Sequence, residues 1–135
     1  MYNIVMTPDK KYKVIIVDDD DFLVDMYVMK FGNSDIGVEA CKSGEELLGK
    51  LKIMTGIDLI LLDIVMPGMN GIEILKEMRK NKLGENIPIM MLTNQSEENY
   101  INEAKKLGIA GYIVKSAATP SEVLNEVLNI IRNPK

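Results

Sequence analysis

Residues 14–21, VIIVDDDD, decide the fold of this 135-residue chain. Four consecutive β-branched residues predict a strand that is buried on both faces, as the strands of parallel sheets are. Four acids then end the apolar run. Residues 59–63, LILLD, repeat the same pattern of an apolar strand that ends at an acid. The chain is therefore expected to contain a parallel sheet covered by helices.

Further short strands are predicted at residues 38–41, 89–92 and 112–114, and an amphipathic stretch follows each strand. Two of these stretches begin with a capping-box pattern, Ser43 with Glu46 and Thr119 with Glu122. Five β-α units in succession predict an α/β fold, a doubly wound five-stranded parallel sheet with helices on both faces. Because such crossovers are right-handed, we expect the flavodoxin-like strand order 2-1-3-4-5.

The length predicts one domain, residues 1–135, with a loose leader at about residues 1–11 and a globular unit at residues 12–132. The chain start lacks the apolar segment of a signal peptide, and the apolar runs are too short to cross a bilayer. We therefore expect no membrane insertion and a cytoplasmic location.

Composition excludes several kinds of site. Without any histidine the chain has no Ser-His-Asp triad and no histidine-ligated metal, and its single cysteine forms no intrachain disulfide. A net charge of −4 argues against a nucleic-acid surface, where clustered Lys and Arg are expected, so we expect no direct nucleic-acid binding. Carboxylates, hydroxyls, lysines and the backbone remain for chemistry.

The polar residues that end the strands are the candidates for function: Asp18, Asp19, Asp63, Thr93 and Lys115. In a sheet of this order, ligands bind outside the carboxyl ends of the strands. These side chains are therefore expected to converge on one pocket. Three carboxylates and one ammonium leave a charge of −2, which favours a hard cation such as Mg²⁺. Asp63 could then act as a carboxylate nucleophile toward a phosphoryl group.

Four runs, VIIVDDDD, DLILLDIVMPGMNG, IPIMMLT and GYIVKS, resemble the receiver domain of two-component response regulators, the CheY-like family. The resemblance covers about residues 12–131, and the order and spacing of the runs make it specific. It implies that Asp63 is the phosphoacceptor. It also implies that Asp18, Asp19, Asp63 and the backbone carbonyl of Val65 hold Mg²⁺.

The resemblance further implies that Thr93 and Lys115 bind the phosphoryl group and that Tyr112 is an aromatic that swings inward on activation. The expected phosphoryl donor is a sensor histidine kinase or a phosphotransfer protein. The expected output is a changed surface on the fourth helix, fifth strand and fifth helix, which binds a downstream protein of unknown identity. Such a domain hydrolyses its phosphoryl group slowly and is not a turnover enzyme.

Three positions depart from the family pattern. Asn94 follows the threonine where a small residue is common, and Ser116 replaces the proline that usually follows the lysine, which puts the family's cis peptide there in doubt. Asn70-Gly71 occupies the position where Asp-Gly is frequent in the family. None of these departures removes a catalytic group.

Other interpretations of the same residues remain open. Thr93 or Lys115 alone would be an ordinary strand or surface residue, and Asp20 and Asp21 are expected only to cap the first helix. The chain could be the receiver portion of a longer regulator with a DNA-binding or enzymatic output domain. An aspartyl-phosphate phosphatase ranks low, because phosphatases of that kind place an acid where this chain has Val65.

Overall fold

The computed structural model describes residues 10–94 and 98–133. Most of the predicted leader, residues 1–9, lies outside the described residues, and the division into leader and globular unit stays a prediction. The strands are β1 Tyr12–Val17, β2 Ile36–Cys41, β3 Leu59–Asp63, β4 Ile89–Thr93 and β5 Gly111–Val114. The helices are α1 Asp21–Gly32, α2 Gly44–Leu51, α3 Gly71–Lys80, α4 Glu98–Lys106 and α5 Pro120–Arg132, with a short 3₁₀ helix at Lys115–Ala117.

The five strands form one parallel sheet in the order β2-β1-β3-β4-β5, which confirms the predicted fold class and strand order. Strand β2 begins at Ile36, two residues before the predicted start, because Tyr12 at the start of β1 pairs with Ile36. The sheet order places β3 at its centre and β1 directly beside it. Acids that end these two strands therefore lie side by side.

Two apolar cores cover the two faces of the sheet. On one face α1 and α5 pack against the strands through residues such as Tyr27, Phe31 and Val127. On the other face α2, α3 and α4 contribute residues such as Leu47, Leu75 and Ala104. Every residue of β3 and β4 is buried. This burial on both faces is what the continuous apolar runs predict.

Side-chain caps fix where the helices begin. The Thr119–Glu122 capping box is complete, as predicted. At α2 only half of the predicted capping box forms. The Ser43 hydroxyl accepts from the backbone N–H of Glu46, as predicted. The Glu46 carboxylate, however, accepts from the N–H of Lys42 at 2.9 Å and not from that of Ser43. An unpredicted complete box joins Asn70 and Glu73 at the start of α3. Asp20 is the N-cap of α1, and its side chain accepts from the backbone N–H of Leu23, as predicted for this acid.

In the part of the chain that the structure describes, no helix is long and apolar enough to span a membrane.

Candidate functional site

The carboxyl ends of the central strands bring the predicted site residues to one edge of the sheet. Asp18 follows β1 directly, Asp63 is the last residue of β3, and Thr93 is the last residue of β4. Lys115 follows β5 and opens the 3₁₀ helix. The register pairs Val17 with Leu62 and Asp63 with Leu92, which aligns these strand ends. The predicted convergence is present for Asp18, Asp63 and Lys115, which form ion pairs, and Thr93 ends the strand next to Asp63.

Three acids form a cluster at this edge. One carboxylate oxygen each from Asp18, Asp19 and Asp63 lies within 4.8 Å of the other two. Asp18 and Asp63 are buried, while Asp19 is exposed to solvent. The cluster therefore consists of two carboxylates that are shielded from solvent and one that lies at the surface.

Lys115 is the cation that the structure places in this cluster. Its Nζ lies 2.6 Å from Oδ2 of Asp18 and 3.3 Å from Oδ2 of Asp63. Although burial by itself lowers the pKa of Lys115, the hydrogen bond to Asp18 and the charge of Asp63 outweigh burial and raise it. The ammonium is therefore charged at neutral pH. It pairs most closely with Asp18, a preference that the sequence did not indicate.

Asp63 has an unusual environment for a carboxylate. Burial raises its pKa to about 7, the Asp18 carboxylate adds to this rise, and Lys115 and the backbone N–H of Val65 oppose it. Within the described part of the chain, Oδ1 of Asp63 is buried and accepts no hydrogen bond. A buried oxygen without a partner is costly in an ordinary core, and strain, a catalytic role or a bound water or ion accounts for such an atom.

The loop from Asp63 to α3 folds back on the end of β3. The N–H of Gly71 donates to the carbonyl of Ile64 at 2.7 Å, which returns the chain to the end of β3. A Cβ on Gly71 would overlap the carbonyl oxygen of Asp63 and would lie 2.9 Å from Cα of Ile64. Residue 71 thus needs to be glycine because two backbone segments touch there. The sequence shows this glycine but not the contact.

The remaining predicted site residues differ in their exposure. Thr93 is fully buried at the end of β4, and Val65 has a side chain that is 50% exposed beside the cluster. Two of the positions that depart from the family pattern meet each other, since the Ser116 hydroxyl donates to the carbonyl of Asn94 at 3.4 Å. Each peptide bond of the described residues is trans, including the one between Lys115 and Ser116.

Tyr112 does not join the acidic cluster. It lies on the edge strand β5 with 43% of its surface exposed. The Nζ of Lys105 in α4 lies 5.5 Å from the centroid of its ring, a cation–π contact. In this structure the ring therefore occupies an outward position. The contact joins α4 to β5, and sequence reasoning missed it because the two residues lie in separate elements.

The donor set fits a hard divalent cation. Carboxylate oxygens with open positions suit Mg²⁺, which commonly binds one or two carboxylates and completes its shell with water or phosphate oxygens. The unpartnered buried oxygen of Asp63 supports this fit, because a bound cation would satisfy it. Asp18, Asp19 and Asp63 are the side chains that could hold the ion.

Comparisons with known proteins find relatives that match most of the chain. The family model for the response regulator receiver domain matches residues 14–128. The chemotaxis protein CheY-3 of Vibrio cholerae is 32% identical over 123 residues, which cover 88% of this chain and 93% of CheY-3. The response regulator SaeR of Staphylococcus aureus is 34% identical over 122 residues, which cover 90% of this chain and 51% of SaeR.

Solved structures show the same fold. The receiver domain of the Francisella response regulator 1452 superposes with a TM-score of 0.80 at 28% identity, covering 93% of this chain and 100% of that one. The chemotaxis protein CheY4 of Vibrio cholerae superposes with a TM-score of 0.80 at 29% identity, covering 88% of this chain and 98% of that one.

Proposed function

The chain belongs to the response regulator receiver domain family of two-component signalling, and from that premise we propose that it is a phosphorylation-activated switch. Asp63 accepts the phosphoryl group. The observation that carries this proposal is the buried, unpartnered Oδ1 of Asp63, held among two further acids and one lysine. A structural acid would have its oxygens paired, whereas an acceptor needs one oxygen left for the incoming phosphorus.

The proposed reaction is a displacement at phosphorus. A carboxylate oxygen of Asp63 forms a bond to phosphorus while the bond from phosphorus to the donor breaks. The donor is the phosphohistidine of a sensor histidine kinase or of a phosphotransfer protein, and its imidazole leaves with the bonding electron pair. Asp63 must be ionised to attack. With a pKa of about 7 in the metal-free protein, it depends on nearby positive charge to stay so.

The cluster would hold Mg²⁺ through Asp18, Asp19, Asp63 and the backbone carbonyl of Val65. The ion supplies positive charge that favours the carboxylate form of Asp63 and balances the phosphoryl oxygens. Lys115 supplies the protein's own positive charge. Because its Nζ already lies between Asp18 and Asp63, a small movement brings it to a phosphoryl oxygen on Asp63.

The output of the switch is a population shift between two conformations. Thr93 and Lys115 contact the phosphoryl group, and Tyr112 moves inward from its place beside Lys105. The surface formed by α4, β5 and α5 changes as a result and binds a downstream protein in the cytoplasm. The chain hydrolyses the aspartyl phosphate slowly and does not act as a turnover enzyme.

The test is phosphorylation by a small phosphodonor, such as acetyl phosphate, followed by intact mass spectrometry. Wild type is expected to gain the mass of one phosphoryl group with Mg²⁺ and to gain much less with a chelator. Asp63→Asn is expected to gain none. Asp35→Asn is the matched control, because Asp35 is an exposed acid in a turn with φ of 65°, which asparagine also adopts readily. Unmodified wild type, or equal labelling of Asp63→Asn, contradicts the proposal.

The match to SaeR favours a second candidate. This chain spans about half the length of SaeR, so it could act as the receiver portion of a longer regulator. The length of the full gene product separates the two candidates, and both use the same phosphoacceptor. The aspartyl-phosphate phosphatase alternative requires turnover on phosphoesters, which a panel of such substrates would detect.

A further inference from the structure

Asn70 and Gly71 form the single Asn-Gly pair in the sequence, a pair that is chemically reactive in unfolded chains. The backbone nitrogen of the glycine attacks the side-chain carbon Cγ of the asparagine. A bond forms between these two atoms and ammonia leaves, which gives a five-membered succinimide ring. Water then opens the ring at either carbonyl and gives aspartate or isoaspartate. Glycine favours the attack because it has no Cβ to obstruct it.

In the folded chain the two reacting atoms are held away from the conformation that closes the ring. The N–H of Gly71 donates to the carbonyl of Ile64 at 2.7 Å, so the attacking nitrogen is bound to the residue that follows β3. The Asn70 side-chain oxygen accepts from the N–H of Glu73 at 2.9 Å, so the carbon under attack is bound to the first turn of α3. The backbone of Asn70 is extended, with ψ of 171°, and ring closure requires this angle to rotate. The folded turn therefore does not permit the reaction.

Two further contacts oppose that rotation. The Glu73 carboxylate accepts from the backbone N–H of Asn70 at 2.9 Å, so one residue holds both the main chain and the side chain of Asn70. Gly71 lies so close to β3 that a Cβ there would overlap the carbonyl oxygen of Asp63. Rotation at Asn70 therefore requires the first turn of α3 to separate from β3, a local opening of the kind that folded proteins undergo.

We propose that Asn70–Gly71 is a modification site, which spontaneous deamidation reaches when the first turn of α3 separates from β3. The co-reactant is water and the leaving group is ammonia. The rate in the folded protein is then the rate in the unfolded chain multiplied by the fraction of chains in which the turn is open. Because the product is covalent, the chain accumulates a permanent record of these openings.

The two products differ in their effect on the turn. Aspartate at position 70 keeps the cap, because its carboxylate accepts the same N–H of Glu73 and suits the start of a helix. Isoaspartate routes the main chain through the side-chain carbon and so lengthens it by one atom directly before Gly71. The contact between Gly71 and the backbone of β3 leaves no room for this extra atom. The isoaspartyl product therefore prevents the turn from closing again.

The test is incubation of the full chain at mildly alkaline pH, in a chelator and without phosphodonor, so that neither Mg²⁺ nor phosphorylation affects the outcome. Peptide mass spectrometry measures conversion of the Asn70 amide to a carboxyl group, in native buffer and in concentrated urea. Conversion is expected to be more than about tenfold slower in native buffer, because few chains have the turn open. Equal rates in the two solutions overturn the proposal, as does faster conversion of another asparagine in urea.

Glu73→Ala tests whether the capping box holds the site closed. This variant is expected to deamidate at Asn70 roughly fivefold faster than wild type in native buffer, and at the same rate as wild type in urea. Glu122→Ala is the matched control, because Glu122 accepts from the N–H of Thr119 at 2.8 Å in the equivalent box of α5. It is expected to deamidate as wild type does. A Glu73→Ala variant as slow as Glu122→Ala in native buffer contradicts the role of the box.

The two products are tested separately after deamidation in urea and refolding. Asn70→Asp is the standard for the aspartyl product, and ion-exchange chromatography separates chains of the same mass that carry isoaspartate instead. The aspartyl chains are expected to unfold at the same urea concentration as wild type, and the isoaspartyl chains at a clearly lower one. Equal unfolding midpoints for the two products would show that the turn accepts the longer main chain, and would overturn that part of the proposal.

Discussion

At the scale of single residues, the main electrostatic feature of the protein is the free-energy cost of burying the Asp63 carboxylate beside other acids. Three carboxylates share one edge of the sheet with a single ammonium, and two of the three are buried. Lys115 offsets part of the repulsion, but it lies nearer to Asp18 than to Asp63. The metal-free fold therefore carries an acid whose charge is only partly balanced, at the position where a phosphoryl group would attach.

The first prediction concerns the stability of Asp63→Asn in a chelator. The unfolded Asp63 ionises near pH 4, whereas in the fold its pKa is about 7, so wild type loses stability as the pH rises between these values. We expect Asp63→Asn to be more stable than wild type by about 2–4 kcal/mol at about pH 8, and by little at about pH 4. Urea unfolding at the two pH values measures this difference.

Asp35→Asn serves again as the control, because Asp35 is exposed and its replacement should leave the free energy of unfolding nearly unchanged at both pH values. A pH-independent difference between wild type and Asp63→Asn would show that burial does not set the pKa of this acid.

The sequence predicted which strand-end residues meet, but not how they pair. Asp18, Asp63 and Thr93 end buried strands, and a known strand order brings such ends together without any further information. The 2.6 Å contact between Lys115 and Asp18 joins residues 97 positions apart, and local pattern carries no signal for it. The same holds for the contact between Lys105 and Tyr112. Pairing of this kind depends on rotamers that only the assembled fold selects.

At the scale of elements, the start of α3 is built against the phosphoacceptor strand. The Asn70–Glu73 capping box fixes the first turn of the helix, and Gly71 lies in contact with the backbone of β3. The helix and the site residue are thus connected through backbone atoms, which cannot give way as a flexible side chain can.

Gly71→Ala is expected to destabilise the fold by about 2–4 kcal/mol, because its Cβ forces the end of β3 and the first turn of α3 apart. It is also expected to slow phosphorylation of Asp63 more than the loss of stability explains. Gly49→Ala is the matched control, because nothing lies within 4 Å of a Cβ built at that position in α2. That change is expected to stabilise by about 0.5–1 kcal/mol.

Chemical denaturation and the rate of phosphorylation under folding conditions measure the two effects. If Gly71→Ala is as stable and as active as Gly49→Ala, the backbone contact does not hold the acceptor in place.

The strands were predicted correctly from the sequence where burial on both faces gives a continuous apolar run. The β-branched run at residues 14–17 and the apolar run at residues 59–62 are buried on both faces, so their pattern is continuous and unambiguous. The start of β2 was predicted late because Ile36 and Gly37 belong to the strand only through pairing with β1. The cap at Asn70 was missed because Asn70 lay within a turn pattern that was interpreted for its glycine.

At the scale of the whole molecule, a cation that binds only the folded chain stabilises all of it. The three acids come from the ends of two central strands and one loop, and they converge only in the complete sheet. Mg²⁺ is therefore expected to raise the melting temperature of wild type in proportion to the logarithm of its concentration. At about one hundred times the dissociation constant, the gain is about 2.7 kcal/mol.

Asp19→Asn tests this linkage without disturbing the core, because Asp19 is exposed. Its melting temperature in a chelator is expected to match that of wild type, and its gain with Mg²⁺ to be much smaller. Thermal unfolding followed by circular dichroism measures both. An equal gain in the two proteins would place the ion elsewhere.

The central claim is that Asp63 receives the phosphoryl group. The most direct measurement is peptide mass spectrometry on wild type phosphorylated with Mg²⁺ present and then reduced with borohydride, which converts an aspartyl phosphate into a stable alcohol. We predict one modified residue, Asp63, and an unmodified Asp18, Asp19 and Asp20. Modification at another residue, or none at Asp63, would contradict the account.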